Sequence, residues 1–183
     1  MSQSQAKPQA PKRYLFGPGP TQVENAVYEA MTQNVAGHLD PYFFEVAAEV
    51  RRGLNSVFGS SNEMTYAVSG TGSSGMETAV ANFTEPGTKF AVLAAGYFAD
   101  RISEMARRYG ATVVRAEKPW GETFEEPEAR AFIERERPQI VAFIHAETST
   151  GALQDPSAIC AAAREAGALV IADAVTSLGA TPV

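Results

Sequence analysis

Short apolar runs alternate with helical stretches along most of this chain, and that alternation limits what it can fold into. The runs lie at 64–68, 90–95, 112–115, 140–145 and 168–172, and helix-like patterns fill 73–84, 98–109, 126–136 and 156–166. Strands separated by helices of this length need crossover connections, so the pattern predicts an α/β fold: a mainly parallel sheet with helices on both faces. The runs "IVAFIH" and "LVIAD" are apolar at consecutive positions, as strands covered on both sides require. Ligands of such sheets sit beyond the carboxyl ends of the strands. The segments just past the runs, at 69–75, 96–101, 146–151 and 173–177, are polar, glycine-rich or aromatic, and chemistry is expected there.

Ahead of this region, "GPGP" at 17–20 forces a turn, and a helix capped by Thr21 is expected over 23–35. A better-marked helix spans 40–59: Asp40 caps it, Pro41 suits its first position, and Gly59 stops it. Phe44, Ala47, Ala48, Leu54 and Phe58 give it an apolar face. Residues 1–13 are polar and proline-punctuated and read as a flexible leader; 14–183 read as one folded unit. A net charge of −6 without a basic run points away from nucleic acid and anionic membranes. No apolar stretch is long enough for a transmembrane helix. Cys160 has no partner for an internal disulfide, so a reducing, cytoplasmic setting is expected.

"SGTGSSG" carries G-x-G-x-x-G at Gly70, Gly72 and Gly75. A dinucleotide fold places this motif after its first strand, with an acidic residue about 20 positions on. Here more than 60 residues precede it, and the next apolar run ends in "LAAG" without a carboxylate. The motif reads instead as a turn opening a helix, whose free N–H groups and the hydroxyls of Thr71, Ser73 and Ser74 suit an anion. The competing reading is a tight turn capped by its own hydroxyls. Met76, Val80 and Phe83 are expected to anchor the helix that follows.

Asp173 stands where an apolar strand gives out. A carboxylate there caps the next turn or pairs with a buried cation, for which a protonated pyridinium nitrogen qualifies. Val175 lies on the same side if the backbone stays extended, either pressing on a flat ring or packing in the core. Tyr97 and Phe98 mark another strand end, where one ring is free to stack on a planar ligand. At a third end, Glu147 reads as a loop hydrogen-bonding residue rather than a general base, and His145 as a satisfied core histidine. Two histidines and one cysteine offer neither a zinc cage nor a Cys–His nucleophile.

Taken in order, "FGPGPT", "SGTGSSGMETA", "EPGTKFAVLAAGYFADR", "HAETSTG" and "DAVTSLGATP" resemble the class V aminotransferases of fold-type I, in particular the alanine–glyoxylate and serine–pyruvate (serine–glyoxylate) group. The resemblance runs from Phe16 to Val183. It implies pyridoxal 5'-phosphate as cofactor, with Thr71, Gly72 and Ser73 at its phosphate. Phe98 would stack on the ring, Thr148 lie near its phenolic oxygen, Asp173 bind its nitrogen, and Val175 contact the opposite face. Gly19 would form part of the wall for the substrate carboxylate. The implied activity moves an amino group from alanine or serine to a 2-oxo acid such as glyoxylate or pyruvate, in a homodimer.

Ala99 replaces a glycine common in the family's G-x-F-G-x-R, and some relatives carry Trp where Phe98 stands. The family's Schiff-base lysine is expected beyond Val183, since Lys7, Lys12, Lys89 and Lys118 are not placed for that role. The chain is therefore expected to be the N-terminal part of the large domain and inactive alone. Two other readings stay open. One is a cysteine-desulfurase-like lyase, which Phe98 in place of a ring-stacking histidine disfavours. The other is a non-catalytic fragment that binds a phosphate ligand or a partner chain.

Overall fold

In the computed structural model, which describes residues 10–183, the elements follow as α1 (Asn25–Met31), α2 (Pro41–Phe58), α3 (Gly72–Phe83), β1 (Lys89–Ala94), α4 (Tyr97–Arg108), β2 (Thr112–Glu117), α5 (Glu126–Glu136), β3 (Ile140–Ile144), α6 (Pro156–Glu165) and β4 (Leu169–Asp173). The strands form one parallel sheet in the order β2-β1-β3-β4, with Phe90 opposite Ile140 and Ile140 opposite Leu169. From β1 the chain steps outward through α4 to β2, then returns over β1 through α5 to reach β3. The strand order thus reverses between β1 and β3, and a ligand crevice is expected at their carboxyl ends.

Alternate side chains of the central strands enter two cores. Phe90, Val92, Ala94, Ile140, Ala142 and Ile144 pack against α3 and α4 through Met76, Val80, Ile102 and Ala106. Ala91, Leu93, Val141 and Phe143 pack against α5 and α6 through Phe132, Ile133, Ile159 and Ala163. Each fully buried side chain of the size of Phe90 or Phe143 contributes about 1.5–3 kcal/mol, which fixes both helix layers on the sheet. Local signals agree with this packing. Asp155 accepts a 2.9 Å hydrogen bond from the Ser157 N–H to start α6, and Glu125 and Glu128 form a capping box on α5.

The N-terminal third differs from expectation. Helix α2 has its Asp40 cap, Pro41 and a left-handed Gly59 at its end (φ 60°). Its apolar face is nevertheless uncovered: Phe44 is 55% exposed and Phe58 40%. Neither α1 nor α2 buries a residue among those described. Helix α1 is shorter than expected, and Glu24, not Thr21, precedes it. Residues 64–68 form no strand, since a β-ladder needs a neighbouring edge and none of the described strands lies beside them. Phe83 is exposed although Met76 and Val80 are buried. Strand β4 is an edge, so Leu169 and Ala172 are exposed rather than covered on both sides. Of the leader, residues 1–9 lie outside the described residues, and 10–13 are exposed without regular structure. No described helix is long and apolar enough to cross a membrane.

Candidate functional site

The glycine-rich turn begins helix α3. Thr71 is its N-cap, its Oγ1 accepting from the Ser74 N–H at 3.4 Å and lying 3.3 Å from Ser74 Oγ. Gly70 adopts φ +156°, and a Cβ there would lie 2.9 Å from Ser74 Cβ, so the turn excludes a side chain. The first N–H groups of a helix have no acceptor within it and carry the positive end of its dipole. Gly72 faces the end of the sheet: a Cβ built on it would lie 3.0 Å from Val175 Cγ2.

At the end of β4, the Asp173 carbonyl accepts from the His145 N–H at 2.9 Å, and its Oδ1 accepts from the Val175 N–H at 3.0 Å. Burial pushes the Asp173 carboxyl above its ordinary pKa. The Val175 N–H opposes that shift and the nearby Glu147 charge reinforces it. The segment beyond is tied to β3 by two side-chain pairs. His145 Nδ1 lies 2.9 Å from Ser177 Oγ, both residues being 2% exposed. Thr148 Oγ1 lies 2.6 Å from Thr176 Oγ1.

The ends of β1 and β3 meet through Glu147. Gly96 precedes α4 and has no side chain with which to cap it. Glu147 Oε1 instead accepts from the Phe98 N–H at 3.4 Å, the Ser149 N–H at 3.1 Å and Ser149 Oγ at 2.7 Å. Ser149 Oγ in turn accepts from the Tyr97 N–H at 3.1 Å. The half-buried Phe98 ring meets Tyr97 edge to face, centroids 5.3 Å apart.

Gly72 with Val175, Thr176 with Thr148, and Glu147 with Phe98 thus link four segments far apart in sequence along one rim of the sheet. Thr71, Gly72, Ser73, Phe98, Thr148, Asp173 and Val175 all belong to these segments. Gly19 stands apart, exposed and with no atom within 4 Å of a Cβ built on it. Lys89 pairs with Glu136 at 2.9 Å and Lys118 with Glu128 at 2.5 Å, so both amines are engaged elsewhere. Glu147 and His145 are hydrogen-bonding residues, as their sequence settings suggested. Thr176 and Ser177 lie in the 173–177 segment that the sequence singles out, although neither is among the individual site residues it names.

The rim combines the N–H groups of a helix start at a glycine turn, a half-buried carboxylate that gains from a cationic partner, and apolar groups. Those features fit a flat ring that carries an anionic tail at one end and a protonated nitrogen at the other.

The family model described as aminotransferase class-V matches residues 13–183. The (S)-ureidoglycine–glyoxylate transaminase of Bacillus subtilis is 36% identical over 169 residues, which cover 92% of this chain and 41% of that protein. The alanine–glyoxylate aminotransferase of Rattus norvegicus is 35% identical over 173 residues, 94% of this chain and 42% of that protein. The crystal structure of an alanine–glyoxylate aminotransferase from Nostoc sp. matches with a TM-score of 0.94 at 44% identity, over 98% of this chain and 48% of that one. The chain spans less than half the length of these relatives. With nearly all of its own length matched and the fold shared at this level of identity, it belongs to the class-V aminotransferase family.

Proposed function

We propose that this chain is the cofactor-binding part of a pyridoxal 5'-phosphate-dependent transaminase, which moves an amino group from alanine or serine to a 2-oxo acid such as glyoxylate or pyruvate. The observation that carries the reading is the contact of Gly72 with Val175. It brings the start of α3 against the segment that carries the half-buried Asp173. When bound, pyridoxal phosphate supplies an electron-accepting ring that stabilises negative charge at the amino-acid α-carbon.

Each residue of the rim has a definite task. Thr71, Gly72 and Ser73 bind the phosphate through N–H groups and hydroxyls at the positive end of α3. Asp173 holds a proton on the ring nitrogen; burial disfavours its lone charge, and a cationic N–H offsets that cost. Phe98 and Val175 would hold the ring by apolar contact, and the Thr148 hydroxyl would orient it through its oxygen. Gly19 forms part of the wall for the substrate carboxylate in the assembled protein. Lys89 and Lys118 are held in ion pairs and are not placed to supply the amine that would move the substrate proton.

The complete protein is a cytoplasmic homodimer in this reading. Exposed Tyr42, Phe44, Val50, Met64 and Tyr66 supply apolar surface for association, and the lone Cys160 suits a reducing compartment. The test is a titration of the full-length protein with pyridoxal phosphate, followed by visible absorbance. Amino transfer from alanine to glyoxylate is then measured alongside sulfide release from cysteine. Saturable binding that is weakened by Thr71→Ala and Asp173→Ala, with amino transfer and no sulfide, supports the proposal. Absence of binding sinks it, and sulfide release would assign a lyase.

A further inference from the structure

Helix α4 carries Phe98 in its first turn, yet nothing in its own sequence caps it. Its N-cap is Gly96, which has no side chain, and the capping oxygen comes from the loop after β3, 49 residues away in sequence. Glu147 is 5% exposed, and its Oε1 gathers the Phe98 N–H, the Ser149 N–H and the Ser149 hydroxyl. Ser149 extends the arrangement to the Tyr97 N–H. Two consecutive positions of the β1–α4 junction, Tyr97 and Phe98, are therefore gripped by two side chains of the β3–α6 loop. The grip also explains the glycine. Gly96 has an extended backbone that any residue adopts (φ 176°), but a Cβ there would lie 2.3 Å from Glu147 Cγ and 2.5 Å from Cδ. Gly96 is needed so that the Glu147 side chain can lie across it.

The fit is tight and asymmetric. Glu147 Oε2 is buried with no hydrogen-bond partner, so a polar group is held in place at a cost that solvent does not relieve. An apolar residue in its place would relieve Oε2 but leave the Phe98 and Ser149 N–H groups without this acceptor. Retaining a half-satisfied carboxylate is consistent with a geometric task at the rim.

We propose that Glu147 is a positioning residue: it caps α4 from the neighbouring loop across Gly96 and thereby fixes the Phe98 ring at the cofactor site. The inference rests on the cofactor reading for the part played by Phe98, whereas the grip itself does not.

Glu147→Ala and Glu147→Gln test it in the full-length protein. Hydrogen exchange of the Tyr97, Phe98 and Ser149 amides should quicken roughly tenfold in the alanine variant, the factor that corresponds to losing a helix cap. Amides of β1 and β3 should keep their wild-type rates. Cofactor affinity should fall by a similar factor and the circular dichroism of the bound ring should weaken, with glutamine restoring both because its carbonyl accepts the same bonds. A cycle of thermal midpoints on the cofactor-free protein supplies the second measurement. Gly96→Ala should lower the midpoint beside Glu147 and have little effect in the Glu147→Ala background, where the clashing atoms are gone. Unchanged exchange at the three amides, or an additive cycle, overturns the proposal. So does faster exchange with full affinity and an unaltered ring signal. If wild-type protein binds no pyridoxal phosphate, the cofactor reading fails on its own, and exchange and the cycle still decide the grip.

Discussion

Gly72 and Val175, 103 positions apart in sequence (175 − 72), approach so closely that one added carbon on the glycine would come within 3.0 Å of a valine methyl. Through this approach the start of α3 and the end of β4 become two walls of one site. The glycine motif therefore serves close packing against a neighbouring strand end as well as its own turn.

Gly72→Ala separates those two uses. Alanine is favoured over glycine in a helix by about 0.5–1 kcal/mol, while forcing an extra methyl against Val175 costs about 1–3 kcal/mol. Val175 is 64% exposed and able to give way, so the overpacking cost falls at the low end and stability changes little. The displaced valine no longer lies flat against the ring. Pyridoxal phosphate affinity is expected to drop several-fold with the thermal midpoint nearly unchanged, measured by equilibrium dialysis and calorimetry. A large loss of stability with normal affinity would contradict this.

Asp173→Asn is expected to separate stability from binding. The raised carboxyl of the folded protein keeps a proton that the unfolded chain, with its ordinary value near 4, has already released. Its stabilising contribution is complete below the unfolded value and is lost as pH climbs through the raised one. The asparagine variant lacks this loss and keeps an acceptor for the Val175 N–H. Its midpoint, in the absence of cofactor, should rise relative to wild type as pH goes from acid to neutral. Affinity for pyridoxal phosphate should fall by about tenfold or more, as expected when a charged hydrogen-bond partner is lost. An asparagine variant less stable than wild type at neutral pH would refute the assignment of a desolvated charge.

What the sequence made legible follows from how local each signal is. Helix α2 was readable to the residue from Asp40, Pro41 and Gly59, because caps and stops act over one turn. The strands from Phe90 to Asp173 were readable because their runs are apolar, fully buried in the central β1 and β3 and partly so in the edge strands β2 and β4. Residues 64–68 look as strand-like as any of these and form no strand, because pairing is a property of the neighbour and not of the run. The uncovered face of α2 is a failure of the same kind: amphipathicity says that a face seeks cover, not that cover is present. At the rim, the segments at 96–101, 146–151 and 173–177 follow β1, β3 and β4 as the strand-end rule expects, whereas 69–75 follows a run that forms no strand. The pairs that join them, Thr148 with Thr176 and Glu147 with Phe98, span 28 and 49 positions and leave no mark in any window of the sequence.

Gln154 is expected to matter for stability. It is 7% exposed, its Oε1 accepting from the Phe124 N–H at 2.7 Å and its Nε2 donating to the Phe124 carbonyl at 2.9 Å. One side chain thus satisfies both backbone groups of a buried residue ahead of α5. Gln154→Ala should cost about 1–3 kcal/mol for each backbone group left unpaired. The denaturation midpoint should fall with its slope unchanged, since no further surface is exposed in the folded state. A loss below the lower figure would mean that the Phe124 backbone finds other partners.

Thr176 tests the direction of a single proton. A hydroxyl donates once and accepts through two lone pairs. If Thr148 donates to the ring oxygen of pyridoxal phosphate, the 2.6 Å contact with Thr176 must run the other way, with Thr176 donating to Thr148. Thr176→Val keeps the shape and removes that donor, leaving the Thr148 proton free to rotate away from the ring. Affinity should then fall about fivefold, the equivalent of one ordinary hydrogen bond, while Thr176→Ser, which keeps the hydroxyl, should bind like wild type. Were Thr148 instead donating to Thr176, the valine variant would release its proton toward the ring, and affinity would hold or rise. The two variants compared in one titration read the order of donors along this chain of hydroxyls.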